Sequence, residues 1–148
     1  MILLDANLLL YAFDGTSRHH EAARVWLERT LSDEPDVRLG VVTVLAFVRI
    51  ATDPRVFEQP LDPAVAIGIV ADILARPNVS LASPGDRHWR LLADVATAGQ
   101  ARGPLLMDAH LAALALEHGA ALATTDRDFR RFAGLRVVDP LASPGGAR

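Results

Sequence analysis

The chain has 148 residues, a formal net charge of −3, 51% hydrophobic residues and no cysteine. A chain of this length is expected to fold as one domain that buries about two-thirds of the surface its unfolded form exposes. The absence of cysteine excludes a disulfide framework and every thiolate zinc site. The acidic balance argues against a protein that holds polyanions through bulk positive charge. The amino terminus has no basic segment, and Asp5 and Asp14 interrupt its apolar stretch, so we expect no membrane insertion and a cytoplasmic location.

Short apolar runs alternate with longer segments of helical periodicity. The runs predict buried strands over 2–4, 37–42, 79–81, 120–124 and 135–138. The periodic segments predict a helical turn over 8–11 and helices over 19–31, 43–52, 64–76, 89–96 and 108–118. This alternation, without a repeat or a linker, predicts an α/β fold with a mostly parallel five-stranded sheet between helices. We expect a single domain over 1–142 and a flexible tail over 143–148.

The helix over 89–96 has a predicted core-facing stripe. Its members are Trp89, Leu92, Ala93 and Ala96, and the same spacing directs His88 and Arg90 outward. In the following helix, His110 points away from the preceding Asp108, because residues two apart on a helix do not share a face. We therefore assign His110 a structural or peripheral role.

Carboxylates follow the first and fourth predicted strands. Asp5 ends the first strand, and Asp126 and Asp128 follow the fourth. Right-handed crossovers bring the carboxyl ends of parallel strands to one edge of a sheet, where such folds bind ligands. Asp108 joins them from the first turn of a helix, where the helix dipole favours an ionised carboxylate. The four side chains can converge, although Asp128 could instead cap a helix that begins near Phe129.

Clustered carboxylates without cysteine or histidine are hard oxygen ligands that suit Mg²⁺ or Mn²⁺. Their mutual repulsion would raise one or more pKa values unless a cation neutralised it. Such a site suits phosphoryl chemistry, in which the metal activates a water and no protein nucleophile is needed. Asn7 and Thr125 are candidates to support the ligands through hydrogen bonds. An ordinary turn position explains Asn7 equally well.

The chain resembles, over most of its length, a PIN-domain protein of the VapC toxin type. The resemblance rests on LLDANLLLYAFD, on FVRIATDPRVF and on LLMDAHLAALALEHGAALATTDRDFRRFAGLRVVDP. It implies a PIN-like three-layer fold and the toxin of a type II toxin–antitoxin system, acting as an endoribonuclease that depends on Mg²⁺ or Mn²⁺. It also implies an RNA substrate, a cognate VapB-type antitoxin and a toxin homodimer.

By this resemblance, Asp5, Asp108 and Asp126 match the family's catalytic and metal-binding acids. Asp128 matches a fourth, more variable metal-binding position. Four arginines near these acids are candidates to contact RNA phosphates, and a solvated surface position is the alternative for each: Arg49, Arg127, Arg130 and Arg131. An acidic pocket needs positive charge around it to bring a polyanion close. The four arginines together therefore indicate RNA binding more strongly than any one of them alone.

One element departs from the family pattern. Family members commonly carry a glutamate in the helix after the second strand, whereas this helix has Ala46 and Phe47 and no acid over 43–52. Three explanations are open: the remaining acids bind the metal alone, the activity is weakened, or another carboxylate such as Asp128 compensates.

Two other classes of protein compete with the ribonuclease. A catalytically weak or inactive PIN-like binding module would fit the missing glutamate. An aspartyl-phosphate phosphotransfer protein also places an aspartate after its first strand, but it usually needs a lysine near the phosphate and this chain has none. Five apolar side chains are candidates for partner contacts, with core packing as the alternative: Tyr11, Phe13, Phe47, Val56 and Phe57.

Overall fold

The computed structural model describes residues 1–143. Its strands are β1 (Ile2–Leu4), β2 (Val37–Gly40), β3 (Val79–Ala82), β4 (Ala121–Ala123) and β5 (Val137–Val138). Its α-helices are α1 (Ala6–Phe13), α2 (His20–Asp33), α3 (Val41–Ala51), α4 (Pro63–Leu74), α5 (His88–Ala98) and α6 (Leu105–His118), and a 3₁₀ helix spans Arg127–Arg131. The predicted tail, apart from Ser143, lies outside the described residues.

The five strands form one parallel sheet in the order β3-β2-β1-β4-β5. The chain therefore adds β2 and β3 on one side of β1 and then returns to add β4 and β5 on the other side. The connection after β1 leads to one side of the sheet, and the connection after β4 leads to the other side. A crevice therefore opens between the carboxyl ends of β1 and β4. The predicted five-stranded parallel sheet is confirmed, and the crevice lies where the sequence places Asp5 and Asp126.

Apolar side chains pack on both faces of the sheet and form its three layers. On one face, Leu4 and Leu39 pack with buried side chains of α1 to α4. On the other face, Leu3 and Leu122 pack with α5, α6 and the phenylalanines of the 3₁₀ segment. Because neighbouring strand residues point to opposite faces, β1 contributes to both cores. Within residues 1–143, every helix falls short of the length and apolar character that a membrane span requires.

The boundary between β2 and α3 lies earlier than the sequence predicted. Val41 and Val42 were expected in the strand, because β-branched residues favour strands. Instead, Gly40 caps α3 and both valines belong to its first turn. The neighbouring strand explains the difference: β1 ends at Leu4, opposite Leu39, and offers no further strand residues to pair.

The predicted inward face of α5 is wrong in part: Leu92 and Ala96 pack against the core and Arg90 is exposed, as predicted, but Trp89 and Ala93 are exposed and His88 is buried. Trp89 is 78% exposed, whereas His88 is only 6% exposed. The His88 Nε2 and His110 Nδ1 atoms are 2.9 Å apart and share a hydrogen bond, and the Glu117 carboxylate lies 3.3 Å from the other ring nitrogen of His88. Glu117 also accepts the backbone N–H of Arg87. These polar contacts with α6 fix the start of α5 and turn His88 inward, which apolar periodicity alone does not reveal.

One predicted partner contact belongs to the core. Phe47 is 1% exposed and its ring packs against that of Phe13 at a centroid distance of 5.8 Å. Phe13 and Val56 remain accessible, at 40% and 56% exposure. Phe47 therefore stabilises α3 against α1 and is not available to a partner.

Candidate metal centre

The pairing of β1 with β4 places the first acid of the site. Leu4 lies opposite Ala123, and the Asp5 backbone N–H donates to the Ala123 carbonyl at 3.0 Å. Asp5 then caps α1, since its carboxylate accepts the Ala6 N–H at 2.7 Å. The Asp5 side chain is thus held between the end of β1 and the residues that leave β4.

Thr124 connects the acids on the two strands. Its hydroxyl donates to the Asp5 Oδ2 atom at 2.6 Å and accepts the backbone N–H of Asp126 at 3.0 Å. Thr124 is 1% exposed, so this hydroxyl is buried and fully engaged. Sequence reasoning named Thr125 and missed Thr124. A signal was present, because Thr124 lies two residues before Asp126 and a period of two puts both on one side of an extended chain.

Asn7 lies beside the same threonines. Its Nδ2 group donates to the Thr125 Oγ1 atom at 3.0 Å and approaches the Thr124 Oγ1 atom at 3.4 Å. Its Oδ1 atom is buried and has no hydrogen-bond partner within residues 1–143. Asn7 and Thr125 therefore lie next to the acids, and the amide oxygen of Asn7 is free to accept a hydrogen bond or to contact a cation.

Three carboxylates converge at this edge of the sheet. One oxygen from each of Asp108, Asp126 and Asp128 lies within 4.8 Å of the others. Asp126 caps the 3₁₀ helix by accepting the Asp128 N–H at 2.8 Å, so capping is the role of Asp126 and not of Asp128. The Asp128 side chain takes no part in the cap, and its carboxylate lies near those of Asp108 and Asp126. Asp126 and Asp128 are exposed, and Asp108 is half-buried.

Asp5 lies beside this group of three and outside it within the described residues. Asp5 and Asp108 line one cleft of about 480 Å³ together with Ala46, Arg49 and Met107. The bonds from Thr124 and Ala6 hold Asp5 back from the three acids, although each of its oxygens keeps a second lone pair. The centre therefore has three grouped carboxylates and a fourth on the adjoining wall.

Negative charge accumulates in the centre and shifts the pKa values of its acids. Burial and then the charges of Asp126, Asp5 and Asp128 raise the pKa of Asp108 to about 6, while Arg131 opposes the shift. Burial also raises the pKa of Asp5, against the lowering effect of its hydrogen bonds from Thr124 and Ala6. Asp108 remains mostly ionised at pH 7, as the sequence predicted, although ionisation is unfavourable there.

The cleft wall formed by α3 carries no acid. Ala46 lines the cleft where the sequence lacked the expected glutamate, and Arg49, one turn later, lines the same cleft. The acids thus come from β1, α6 and the segment after β4, and a cation faces them from α3. Arg127 and Arg130 are exposed, and within residues 1–143 their guanidinium groups have no hydrogen-bond or ion-pair partner.

The donor set fits a hard divalent cation. All the converging ligands are oxygens, which Mg²⁺ and Mn²⁺ prefer over softer atoms. The raised pKa of Asp108 and the unpartnered Asn7 oxygen both indicate a place where positive charge would be stabilised. Asp108, Asp126 and Asp128 could therefore hold a metal ion, with Asp5 on the adjoining wall of the cleft.

These features define a class: a three-layer α/β protein with a carboxylate centre at the crevice between β1 and β4. The chain belongs to the PIN domain family, whose model matches residues 2–135. It is 45% identical to Ribonuclease VapC37 of Mycobacterium tuberculosis over 142 residues, which cover 96% of this chain and 99% of that protein. It is 39% identical to Ribonuclease VapC31 of the same species over 140 residues, covering 95% and 99%.

Solved structures share the fold. A chain of a toxin-antitoxin complex from Klebsiella pneumoniae superposes with a TM-score of 0.64 at 21% identity, covering 95% of this chain and 98% of that one. The family model and the two relatives confirm the resemblance to PIN-domain proteins of the VapC type.

Proposed function

We propose that this protein is an endoribonuclease that uses Mg²⁺ or Mn²⁺ to hydrolyse RNA phosphodiester bonds, and that it is the toxin of a toxin–antitoxin pair. The observation that carries the proposal is the convergence of Asp108, Asp126 and Asp128 within 4.8 Å at the crevice of a PIN domain. Relatives named as ribonucleases match nearly the whole chain and support it.

Each residue of the centre has a role in this proposal. Asp108, Asp126 and Asp128, with Asp5, hold the metal, which activates a water and stabilises charge on the phosphate oxygens when it is bound. The Thr124 hydroxyl fixes Asp5, and its bond to the Asp126 N–H fixes the turn that follows β4. From α1, the Asn7 side chain donates to the Thr125 hydroxyl and so supports the same turn. The protein's own part is thus to hold several carboxylates in one place against their repulsion.

Arginines supply the positive rim that RNA requires. Arg49 lines the cleft opposite the acids, and Arg127 and Arg130 are exposed beside Asp126 and Asp128. We assign to these three the contacts with phosphates on either side of the cleavage site. Removing one of them should weaken RNA binding and reduce its dependence on salt, without selecting particular bases.

The experiment is cleavage of RNA by the purified protein with Mg²⁺ or Mn²⁺, compared with its Asp108→Asn variant. We expect metal-dependent cleavage that EDTA abolishes and that falls at least about a hundredfold in the variant, because one member of the centre is lost. Asp94→Asn, on the exposed face of α5, is the matched control and should cleave at the original rate. Equal cleavage by wild type and Asp108→Asn would rule out this centre.

Ala46 favours a second candidate function. With no acid on the α3 wall, the centre has fewer ligands than the family pattern provides, and a PIN-like module that binds RNA without cutting it would need no more. Ala46→Glu separates the two candidates. Restored metal-dependent cleavage in this variant, from an inert parent protein, would favour the binding module as the natural function.

The proposed partners are an antitoxin and a second copy of the toxin. A chain of a toxin-antitoxin complex shares the fold, and the exposed side chains of Phe13 and Val56 offer apolar contacts outside the residues that line the cleft. An antitoxin bound to this protein should suppress its RNA cleavage when the two are expressed together.

A further inference from the structure

Arg131 is the one arginine of the 3₁₀ helix whose guanidinium is engaged by the protein within residues 1–143. Its Nη1 group donates to the Gly99 carbonyl at 3.2 Å, and its Nη2 atom lies 3.8 Å from the Asp128 Oδ1 atom. The side chain is 32% exposed, compared with 56% for that of Asp128. Arg131 therefore connects the end of α5 to a carboxylate of the metal centre.

The carbonyl that anchors Arg131 lies in a tightly packed place. Gly99 is buried, and a Cβ atom built on it would lie 2.9 Å from the Phe132 ring and 3.0 Å from the Val95 carbonyl. Phe132, the neighbour of Arg131, is 3% exposed. The end of α5 and the end of the 3₁₀ helix thus form one rigid contact, and Arg131 extends from it toward the acids.

Asp128 needs such an anchor more than the other acids do. Its side chain is exposed and lies within 4.8 Å of two carboxylates, so repulsion and hydration both favour its rotation into solvent. Asp126 holds only the backbone of Asp128, through the N–H bond. Within residues 1–143, Arg131 is the only cation paired with the Asp128 carboxylate.

We propose that Arg131 is a positioning residue, which holds the Asp128 carboxylate in the metal centre from a fixed point at the end of α5. It is not an RNA contact like Arg127 and Arg130, because its donors are turned toward Gly99 and Asp128. An exposed pair at 3.8 Å adds little to the stability of the fold. Its effect lies in keeping a ligand in place before the metal arrives, which raises metal affinity.

The test is Mn²⁺ affinity measured by titration calorimetry in the absence of RNA, and it rests on the proposed function through the metal centre. Arg131→Gln should bind Mn²⁺ about tenfold more weakly, the lower end of the range for residues that support metal ligands. Arg130→Gln removes the same charge from the same helix and should change the affinity less than about twofold. Arg131→Lys keeps the charge, loses the two-pronged geometry and should fall between them.

A double-mutant cycle shows whether Arg131 acts through Asp128. In an Asp128→Asn background, Arg131→Gln should have no further effect on Mn²⁺ affinity. Circular dichroism melting of the metal-free variants identifies any loss of folding, and the cycle is read only among variants that melt like the wild type. Equal losses for Arg131→Gln and Arg130→Gln, or an undiminished effect of Arg131→Gln in the Asp128→Asn background, would overturn the proposal.

The two proposals fail in different ways. If the wild-type protein binds no Mn²⁺, the metal centre and hence the proposed function are wrong. If the wild type binds Mn²⁺ and Arg131→Gln binds it equally well, only the role of Arg131 is wrong. A weaker affinity of Arg131→Gln for RNA with unchanged Mn²⁺ affinity would instead assign Arg131 to the phosphate contacts.

Discussion

Asp108 is half-buried in the first turn of α6, where the charges of three other aspartates reach it. Its pKa of about 6 in the folded protein exceeds the unfolded value of about 3.9. The folded protein therefore binds more protons than the unfolded chain between those values, and stability falls as pH rises through that window. The loss of folding stability caused by ionising Asp108 is absent below about pH 4 and complete above about pH 6.

Asp108→Asn should accordingly stabilise the metal-free protein above pH 6. We expect a gain of about 1 kcal/mol at pH 7.5, after discounting the pKa shift for solvent screening at a partly exposed group. The gain should shrink toward zero near pH 4. Urea unfolding in EDTA at several pH values measures it, with Asp94→Asn as the control for loss of one charge. A variant less stable than wild type at pH 7.5 would show that the α6 dipole outweighs the repulsion.

The residues of the centre differ in how well a sequence reveals them. Asp5, Asp108 and Asp126 were predicted because carboxylates that follow parallel strands, or begin a helix beside them, come to the edge of the sheet where such folds bind ligands. Thr124 was not predicted, because a threonine at the end of a strand is common and needs no functional explanation. Its role becomes visible only from the buried contacts of its hydroxyl with Asp5 and with the backbone of Asp126. Asp108, Asp126 and Asp128 converge while Asp5 lies to one side, and this arrangement depends on side-chain rotamers. The spacing of residues in the sequence carries no information about rotamers.

At the scale of elements, strands were the easier prediction. Runs such as those of β1 and β4 are apolar on both faces, which fits strands covered by helices on both sides. Helix faces and boundaries were harder. The start of α3 is set by where β1 stops offering partners, and the face of α5 is set by the contact of buried His88 with half-buried His110. Both are tertiary effects that override local preference.

The contact between α5 and the 3₁₀ helix predicts opposite effects for two glycine substitutions. Gly99→Ala should destabilise the protein by about 1–3 kcal/mol, because the new methyl group meets the Phe132 ring and a backbone carbonyl. Gly68→Ala, within α4 and with no atom within 4 Å of the new methyl group, should stabilise it by about 0.5–1 kcal/mol through helix propensity.

Chemical denaturation of both variants tests this prediction. Similar stabilities for the two would mean that the end of α5 yields to the added methyl group and is not rigid. Gly99→Ala should also lower Mn²⁺ affinity, since it displaces the carbonyl that anchors Arg131.

At the scale of the whole molecule, the metal should stabilise the fold because the unfolded chain scatters the carboxylates along the sequence. Mn²⁺ at about a hundred times its dissociation constant adds about 2.7 kcal/mol. For a chain of this size the melting temperature should rise by about 5–10 °C. Thermal melts over a range of Mn²⁺ concentrations at constant ionic strength measure the shift.

The control for this prediction is a double variant, Asp108→Asn with Asp126→Asn, melted under the same conditions. Its melting temperature should not depend on Mn²⁺. An equal rise in the double variant would indicate a general effect of divalent salt, and a flat response of the wild type would argue against a metal centre.

The position of β1 at the middle of the sheet has a consequence for synthesis on the ribosome. Asp5 emerges early, but Thr124, which fixes it, follows 119 residues later, and Asp126 and Asp128 come later still. The pairing of β1 with β4 closes the longest loop in the sheet, and such distant contacts form late. A nascent or truncated chain that stops before β4 contains Asp5 and Asp108 but lacks Thr124, Asp126 and Asp128. Under the proposed function, we therefore expect incomplete copies to be inert and only a finished chain to harm the cell that makes it.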